Sequence, residues 1–177
     1  MKKIVFLFAI ACTFFSCDDG DLTVEEIDLE TTATVEACTS DSGIPAGVTL
    51  LFKINGTETV ILEAPSNLYI NEVTETDMPR TATLNSDASS FYRSFDTSIT
   101  SGYFCDELPS DIPITLEYTA VAGTVEVTTT EVLDSDTMEI TGYKHNTVFI
   151  DVVFTGTNGQ DVRYGEFVFG EMTTVVE

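Results

Sequence analysis

The stretch from Val48 to Glu63, VTLLFKINGTETVILE, decides the fold class of this chain of 177 residues. Val48, Leu50, Phe52 and Ile54 recur at every second position, a period that is typical of a half-buried β-strand. The Asn55-Gly56 pair that follows supplies the positive φ values of a type I′ turn. The stretch therefore predicts a β-hairpin, with strands over 48–54 and 57–63.

Short strand patterns continue through most of the chain outside this hairpin. The sequence predicts further strands over 31–38, 68–73, 91–95, 99–105, 114–121, 124–132, 138–143, 147–155, 161–169 and 173–177. Turns are predicted at 122–123, 134–136 and 156–160, a bulge at Gly165 and a long polar loop over 74–90. No segment keeps a helical period for more than two turns.

Many short strands separated by turns predict an all-β fold in one domain over residues 31–177. The predicted architecture is an antiparallel β-sandwich, Ig-like or related, and a closed β-barrel is the alternative. The chain contains 28 threonines. Threonine suits the exposed face of a sheet, because its β-branched side chain fits the pleat and its hydroxyl group is hydrated.

The charge of the chain excludes several classes of partner. There are 30 acidic residues against 7 basic ones, which gives a net charge of −23. Because such a surface repels phosphate backbones, we expect no nucleic-acid partner. The hydrophobic fraction of 43% is too high for a disordered chain. Acidic side chains on a sheet also keep its edges from pairing with other chains.

The N-terminus has the pattern of an export signal. Two lysines follow Met1, residues 4–15 are apolar apart from Thr13, and Ser16-Cys17 precedes four polar residues. An apolar stretch of this length is shorter than the roughly 20 residues that span a bilayer. Residues 1–16 are therefore predicted to be a signal peptide. An ordinary signal peptide with an incidental cysteine is the alternative.

The sequence around Cys17 resembles the lipobox of bacterial lipoproteins, in the relaxed Phe-Ser-Cys form of Bacteroidota proteins. The resemblance implies a diacylglycerol on the thiol of Cys17, which becomes the mature N-terminus and anchors the protein to a membrane. Residues 17–30 are acidic and read as a tether. Asp18-Asp19-Gly20-Asp21 is similar to an export signal for the outer face of the outer membrane, with the periplasmic face as the alternative.

The stretches 123–127 and 140–145 also resemble small uncharacterised lipoproteins of Flavobacteria-like organisms. That resemblance implies a location and a fold class, and no activity.

Two cysteines remain in the mature chain, Cys38 and Cys105. Exported compartments permit disulfides, so we expect these two residues to be bridged. Two separate buried thiols are the alternative.

The sequence offers little for catalysis or metal binding. The single histidine, His145, is expected in a turn or on the surface, and no nucleophile motif accompanies it. We expect no cofactor. Calcium is the remaining candidate ligand, at Asp134, Asp136 and Asp161, because these acids lie in turns. Neither turn matches a calcium-binding loop. Asp136-Thr137-Met138 resembles the O-glycosylation sequon of exported Bacteroidota proteins, which makes Thr137 a candidate site.

These observations predict a lipid-anchored surface protein that binds a protein or a glycan and has no catalytic activity. The polar loop over 74–90 is the expected binding surface. The alternatives are a purely structural component of the envelope and a hydrolase that uses paired carboxylates.

Overall fold

A computed structural model describes residues 32–39, 43–108 and 111–176, and the all-β prediction is confirmed. Eight strands form one antiparallel sheet. They are β1 (Glu36–Ala37), β2 (Leu50–Asn55), β3 (Glu58–Glu63), β4 (Arg80–Thr83), β5 (Ser89–Phe95), β6 (Ile114–Leu133), β7 (Ile140–Gly156) and β8 (Asp161–Val175). A 3-10 turn (Ser66–Leu68) and one short helix, α1 (Gly102–Cys105), complete the described elements.

Two predicted strands are not strands. The 3-10 turn and a bend replace the strand predicted over 68–73, and α1 replaces most of the strand predicted over 99–105. The loop predicted over 74–90 contains β4. In the last third, the turn predicted at 122–123 is a bulge inside β6. The six strands predicted there form three long ones, β6, β7 and β8.

The strand order is β1-β2-β3-β5-β6-β7-β8, and β4 also pairs with β6. β5 lies along the first half of β6, where Tyr92 is opposite Tyr118, and β4 lies along the second half, where Ala82 is opposite Val125. β4 and β5 therefore pair with the same side of β6, one after the other, and residues 84–88 connect them. The predicted hairpin forms β2 and β3, but its two-residue loop is Gly56-Thr57 and not Asn55-Gly56, because Asn55 is paired with Glu58 and only Gly56 has a positive φ, of +66°.

The pairing of the three long strands is irregular at two levels of the sheet. Gly123 of β6 has a φ of +124° and lies against Val152 of β7, and Asp151 has a φ of +51°. The register of β6 on β7 shifts on both sides of Ala122. The bulge predicted at Gly165 lies instead at Gly170 (φ +135°), where the pairing of β7 with β8 shifts. Bulges bend a strand and increase its twist, so the sheet curls.

The curled sheet has the shape of a half-barrel. Its first and last strands approach one another, since a Cβ atom on Gly170 of β8 would lie 2.7 Å from a methyl group of Val35. The backbone N–H of Val175 donates to the carbonyl of Ile44 at 3.0 Å. The core lies inside the curl and contains stacked and edge-on aromatic rings, among them Phe149, Phe167 and Phe169.

A disulfide joins the end of β1 to α1, in agreement with the expected pairing. Cys38 follows β1, Cys105 ends α1, and their Cα atoms are 5.4 Å apart. The bond closes a loop with a sequence separation of 67 residues. Next to it, the ring of Phe104 stacks on Phe52 of β2 at a centroid distance of 4.4 Å, and Tyr103 packs edge-on against Phe95 of β5 at 4.9 Å.

Candidate functional site

The single histidine is in the core, and the prediction that His145 lies in a turn or on the surface is wrong. His145 is a residue of β7 with no exposed side-chain area, and it is paired with Thr129 of β6 and Met172 of β8. It alternates with Thr147 and Phe149, which are also buried. This alternation over five residues is the sequence signal for a core-facing histidine.

Both ring nitrogens of His145 are hydrogen-bonded to threonine hydroxyl groups. Nδ1 is 2.9 Å from Oγ1 of Thr129, and Nε2 is 3.0 Å from Oγ1 of Thr174. Thr129 accepts a further hydrogen bond from Nη1 of Arg80 at 2.9 Å. Thr174 donates to Oδ1 of Asn71 at 2.5 Å, and the Asn71 amide donates to the Val175 carbonyl.

The donors and acceptors of these hydrogen bonds define one tautomer of His145. Since the Thr174 hydroxyl donates to Asn71, its oxygen accepts the proton of His145 Nε2–H. Nδ1 of the neutral ring is then an acceptor, and it receives the hydroxyl proton of Thr129. The result is a series of bonds running in one direction, from the Arg80 guanidinium to the carbonyl of Val175.

Burial keeps this histidine uncharged at neutral pH. Removal from water, and then the positive charge of Arg80, lower the pKa of His145 to about 4. Tyr69 packs edge-on against the imidazole at 5.7 Å, and burial raises the pKa of its phenol. The neutral imidazole links β6, β7 and β8 through its two hydrogen bonds. Because its side chain has no exposed area, a substrate does not reach it.

A second feature is the chain excursion between β4 and β5, residues 84–88, which lines an open cleft of about 450 Å³. Asn85 has a φ of +69°, and its N–H donates to the Ala88 carbonyl at 2.8 Å. Oδ2 of Asp87 accepts from the N–H of Thr83 and from the Ser86 hydroxyl. The other wall of the cleft is formed by residues at the ends of β2 and β3: Thr49, Leu50, Glu63, Ala64 and Pro65.

The polar side chains of this excursion face solvent while its backbone is fixed. Asn85, Ser86 and Asp87 are exposed. The N–H of Leu84 donates to the carbonyl of Gly123 at 3.0 Å, which ties the excursion to the bulge of β6. Residues 84–88 belong to the predicted loop over 74–90. The sequence did not distinguish residues 84–88 from the strand before them, because the threonines and alanine at 81–83 are equally consistent with a loop and with a strand.

The three calcium candidates are not brought together. Asp134 and Asp136 lie in the turn before β7, and Asp161 lies after it, at the opposite end of a strand of 17 residues. Oδ1 of Asp134 accepts from the N–H groups of Thr137 and Asp136, and these bonds lower the pKa of Asp134. The hydroxyl of Thr155, more than the nearby Arg163, lowers the pKa of Asp161.

The other predicted sites have separate outcomes. Thr137 is exposed, and its hydroxyl donates to Asp134 at 3.2 Å. Cys17, the signal peptide (1–16) and the tether (17–30) lie outside the described residues. Within the ranges that the structure describes, no group of three His, Cys, Asp or Glu side chains is arranged to hold a metal ion.

Comparison with family models, curated proteins and solved structures finds no match to this chain. In the described part of the chain, no helix has both the length and the apolar character needed to cross a bilayer.

Proposed function

We propose that this protein is a lipid-anchored outer-membrane lipoprotein of the Bacteroidota type, displayed on the cell surface, and that it binds a protein or a glycan without catalysis. The anchor is the lipidated Cys17, and the tether over 17–30 separates it from the β-domain. Because the anchor supplies the attachment, the domain needs no membrane-binding face of its own.

The cleft beside residues 84–88 carries the binding part of the proposal. Its polar side chains are exposed on a backbone that five hydrogen bonds and the β6 bulge hold in place. A preorganised surface loses little conformational entropy when it binds. Glu63 and Asp87 provide carboxylate acceptors, and Asn85 and Ser86 provide groups that both donate and accept. Such a set suits the hydroxyl groups of a glycan or the polar side chains of a peptide.

The histidine supports a non-catalytic role. His145, the usual choice for a general base near neutral pH, is enclosed in the core and bonded at both nitrogens. Cys38 and Cys105 are joined to one another and are not nucleophiles. Asp134 and Asp161 have lowered pKa values, whereas a general acid needs a raised one.

The proposal is tested by binding to a glycan array and to an array of polar peptides, with two cleft variants. Asn85→Gly removes the side chain and keeps the left-handed backbone, and Glu63→Gln removes one charge. Asp96→Asn is the matched control, because it removes one exposed charge at the far end of β5. We expect a saturable ligand whose affinity falls about 10-fold in each cleft variant, the size of one hydrogen bond to a charged group.

Two results would contradict the proposal. One is an unchanged affinity in both cleft variants for every ligand that binds. The other is chemical conversion of a bound glycan or peptide by the protein.

A further inference from the structure

The segment between β3 and β4 begins in the core at Tyr69, continues along β6, where Thr74 is hydrogen-bonded to Thr129, and is fastened to the sheet through His145. Tyr69 contacts the imidazole edge-on, and its hydroxyl is hydrogen-bonded to Thr147 at 3.1 Å. Asn71 and Arg80 hold the two ends of the hydrogen-bond series that passes through the ring. We propose that residues 69–80 form a pH-operated latch, which neutral His145 holds closed and which protonation of His145 releases.

The proton count explains why a charged ring does not fit this site. Protonated His145 donates from both nitrogens, so Nδ1 ceases to be an acceptor. Oγ1 of Thr129 already accepts from Arg80, and its own proton then points at an N–H group. The bond between Thr129 and His145 breaks or reverses, and the buried Thr129 hydroxyl loses its acceptor. A buried polar group without a partner is costly.

The charges around the ring oppose protonation as well. From the latch and β4, Tyr69 and Arg80 face His145, and the only full charge among them is the guanidinium. From β6 and β8 the ring meets Thr129, Met172 and Thr174, which do not titrate. On β7, Tyr143 is the nearest titratable neighbour on the same face, and Glu131 opposite it is exposed. In the described chain no carboxylate contacts the ring to balance a positive charge.

Opening of the latch removes both the lost hydrogen bond and the repulsion between charges. The ring of His145 is then exposed to water, and Arg80 moves away from it with the latch. Below the pKa of an exposed histidine, protons therefore favour the open form. With a pKa of about 4 in the closed form and 6.5 in the open form, the opening equilibrium rises about 20-fold between pH 7 and pH 5.

Hydrogen exchange measured by NMR on the full chain in detergent tests the latch. The N–H of Thr74, which donates to the Thr129 carbonyl at 3.1 Å, reports its opening. After correction for the intrinsic effect of pH, we expect protection at Thr74 to fall about 20-fold from pH 7 to pH 5. Amides of the β2–β3 hairpin, which lie in the other half of the sheet, exchange when the whole domain unfolds, so we expect Thr74 to be at least about 10-fold less protected than they are at both pH values.

His145→Gln is the matched variant, because glutamine offers a donor and an acceptor and does not titrate. It is expected to lose the pH dependence at Thr74. Should that variant fail to fold, the wild-type chain still decides the question, because its one histidine gives one imidazole titration curve. A pKa below about 5 supports the latch. A pKa near 6.5, constant protection at Thr74, or protection at Thr74 equal to that of the β2–β3 amides would overturn it.

Discussion

Gly123 of β6 lies directly against Val152 of β7, so closely that a Cβ atom on Gly123 would be 2.8 Å from the Cα atom of Val152. This approach occurs at the bulge where the pairing of β6 with β7 shifts, and Gly123 has a φ of +124° there. Only glycine adopts this conformation and this spacing without strain. The close packing of β6 on β7 at this bulge therefore requires that position 123 carry no side chain.

Gly123→Ala is expected to destabilise the protein by about 3 kcal/mol, from the positive φ together with the contact on the backbone of β7. The midpoint of thermal unfolding should fall by roughly 10 °C for a domain of this size. Differential scanning calorimetry measures this shift.

Gly165→Ala is the control for that prediction. Gly165 lies in β8, has no positive φ, and has no atom within 4 Å of the position of an added Cβ. Its substitution should change the midpoint by less than about 2 °C. Equal effects of the two substitutions would show that the close packing at this bulge does not depend on Gly123.

Loss of the Cys38–Cys105 bond should lower the free energy of unfolding by about 4 kcal/mol, because the bond closes a loop of 67 residues in the unfolded chain. The double variant Cys38→Ser, Cys105→Ser and the reduced wild type should unfold at the same urea concentration. Alkylation of the unreduced protein followed by mass spectrometry provides the direct check. Labelling at both cysteines would contradict the bond.

The stability of the protein should decrease as the pH falls from 6.5 towards 4. The unfolded chain binds a proton at His145 over this range and the folded chain does not, since the folded pKa is about 4. The stabilisation is complete above pH 6.5 and is lost as the pH falls. Between pH 7 and pH 5 this one group accounts for about 2 kcal/mol.

Urea unfolding at several pH values, for wild type and for His145→Gln, isolates this contribution. The difference between the two slopes with pH is the part that His145 contributes. Parallel curves for the two proteins would show that the histidine titrates alike in the folded and unfolded chains.

Calcium should not stabilise the folded protein. The carboxylates of Asp134 and Asp161 lie at opposite ends of β7, and each already accepts hydrogen bonds in its own turn. We therefore expect an unchanged unfolding midpoint in millimolar calcium. A rise that disappears on chelation, and that Asp134→Asn or Asp161→Asn abolishes, would restore calcium as a ligand.

The fold class could be predicted because local signals agree with the final structure. Asn55-Gly56 marks the turn, and the apolar residues on either side of it mark β2 and β3. The register and the faces did not follow from the sequence, because the loop is Gly56-Thr57 and because Leu51, Phe52 and Lys53 are all buried, so β2 does not alternate between core and solvent. The long strands were predicted in pieces. A bulge at Ala122-Gly123 has the composition of a turn, and only the pairing of β6 with β7 on both sides distinguishes the two.

Other features depend on contacts between distant parts of the chain. Residues 102–105 have the aromatic content of a strand, and their helical turn is held by the disulfide and by the stacking of Phe104 on Phe52. Burial of His145 depends on Thr129 and Thr174, which come from two other strands. The cleft depends on where β4 meets β5 along β6, which no local pattern specifies.

The proposal that this protein is a lipid-anchored surface module is tested most directly by intact mass spectrometry of the protein from its native host, together with protease treatment of whole cells. We predict that the chain begins at Cys17, carries the mass of its acyl groups, sediments with membranes and is cleaved from intact cells. Cys17→Ser should remove the acyl mass and release the protein from the membrane fraction. A wild-type chain without acyl mass, recovered free of the membrane fraction, would contradict the account.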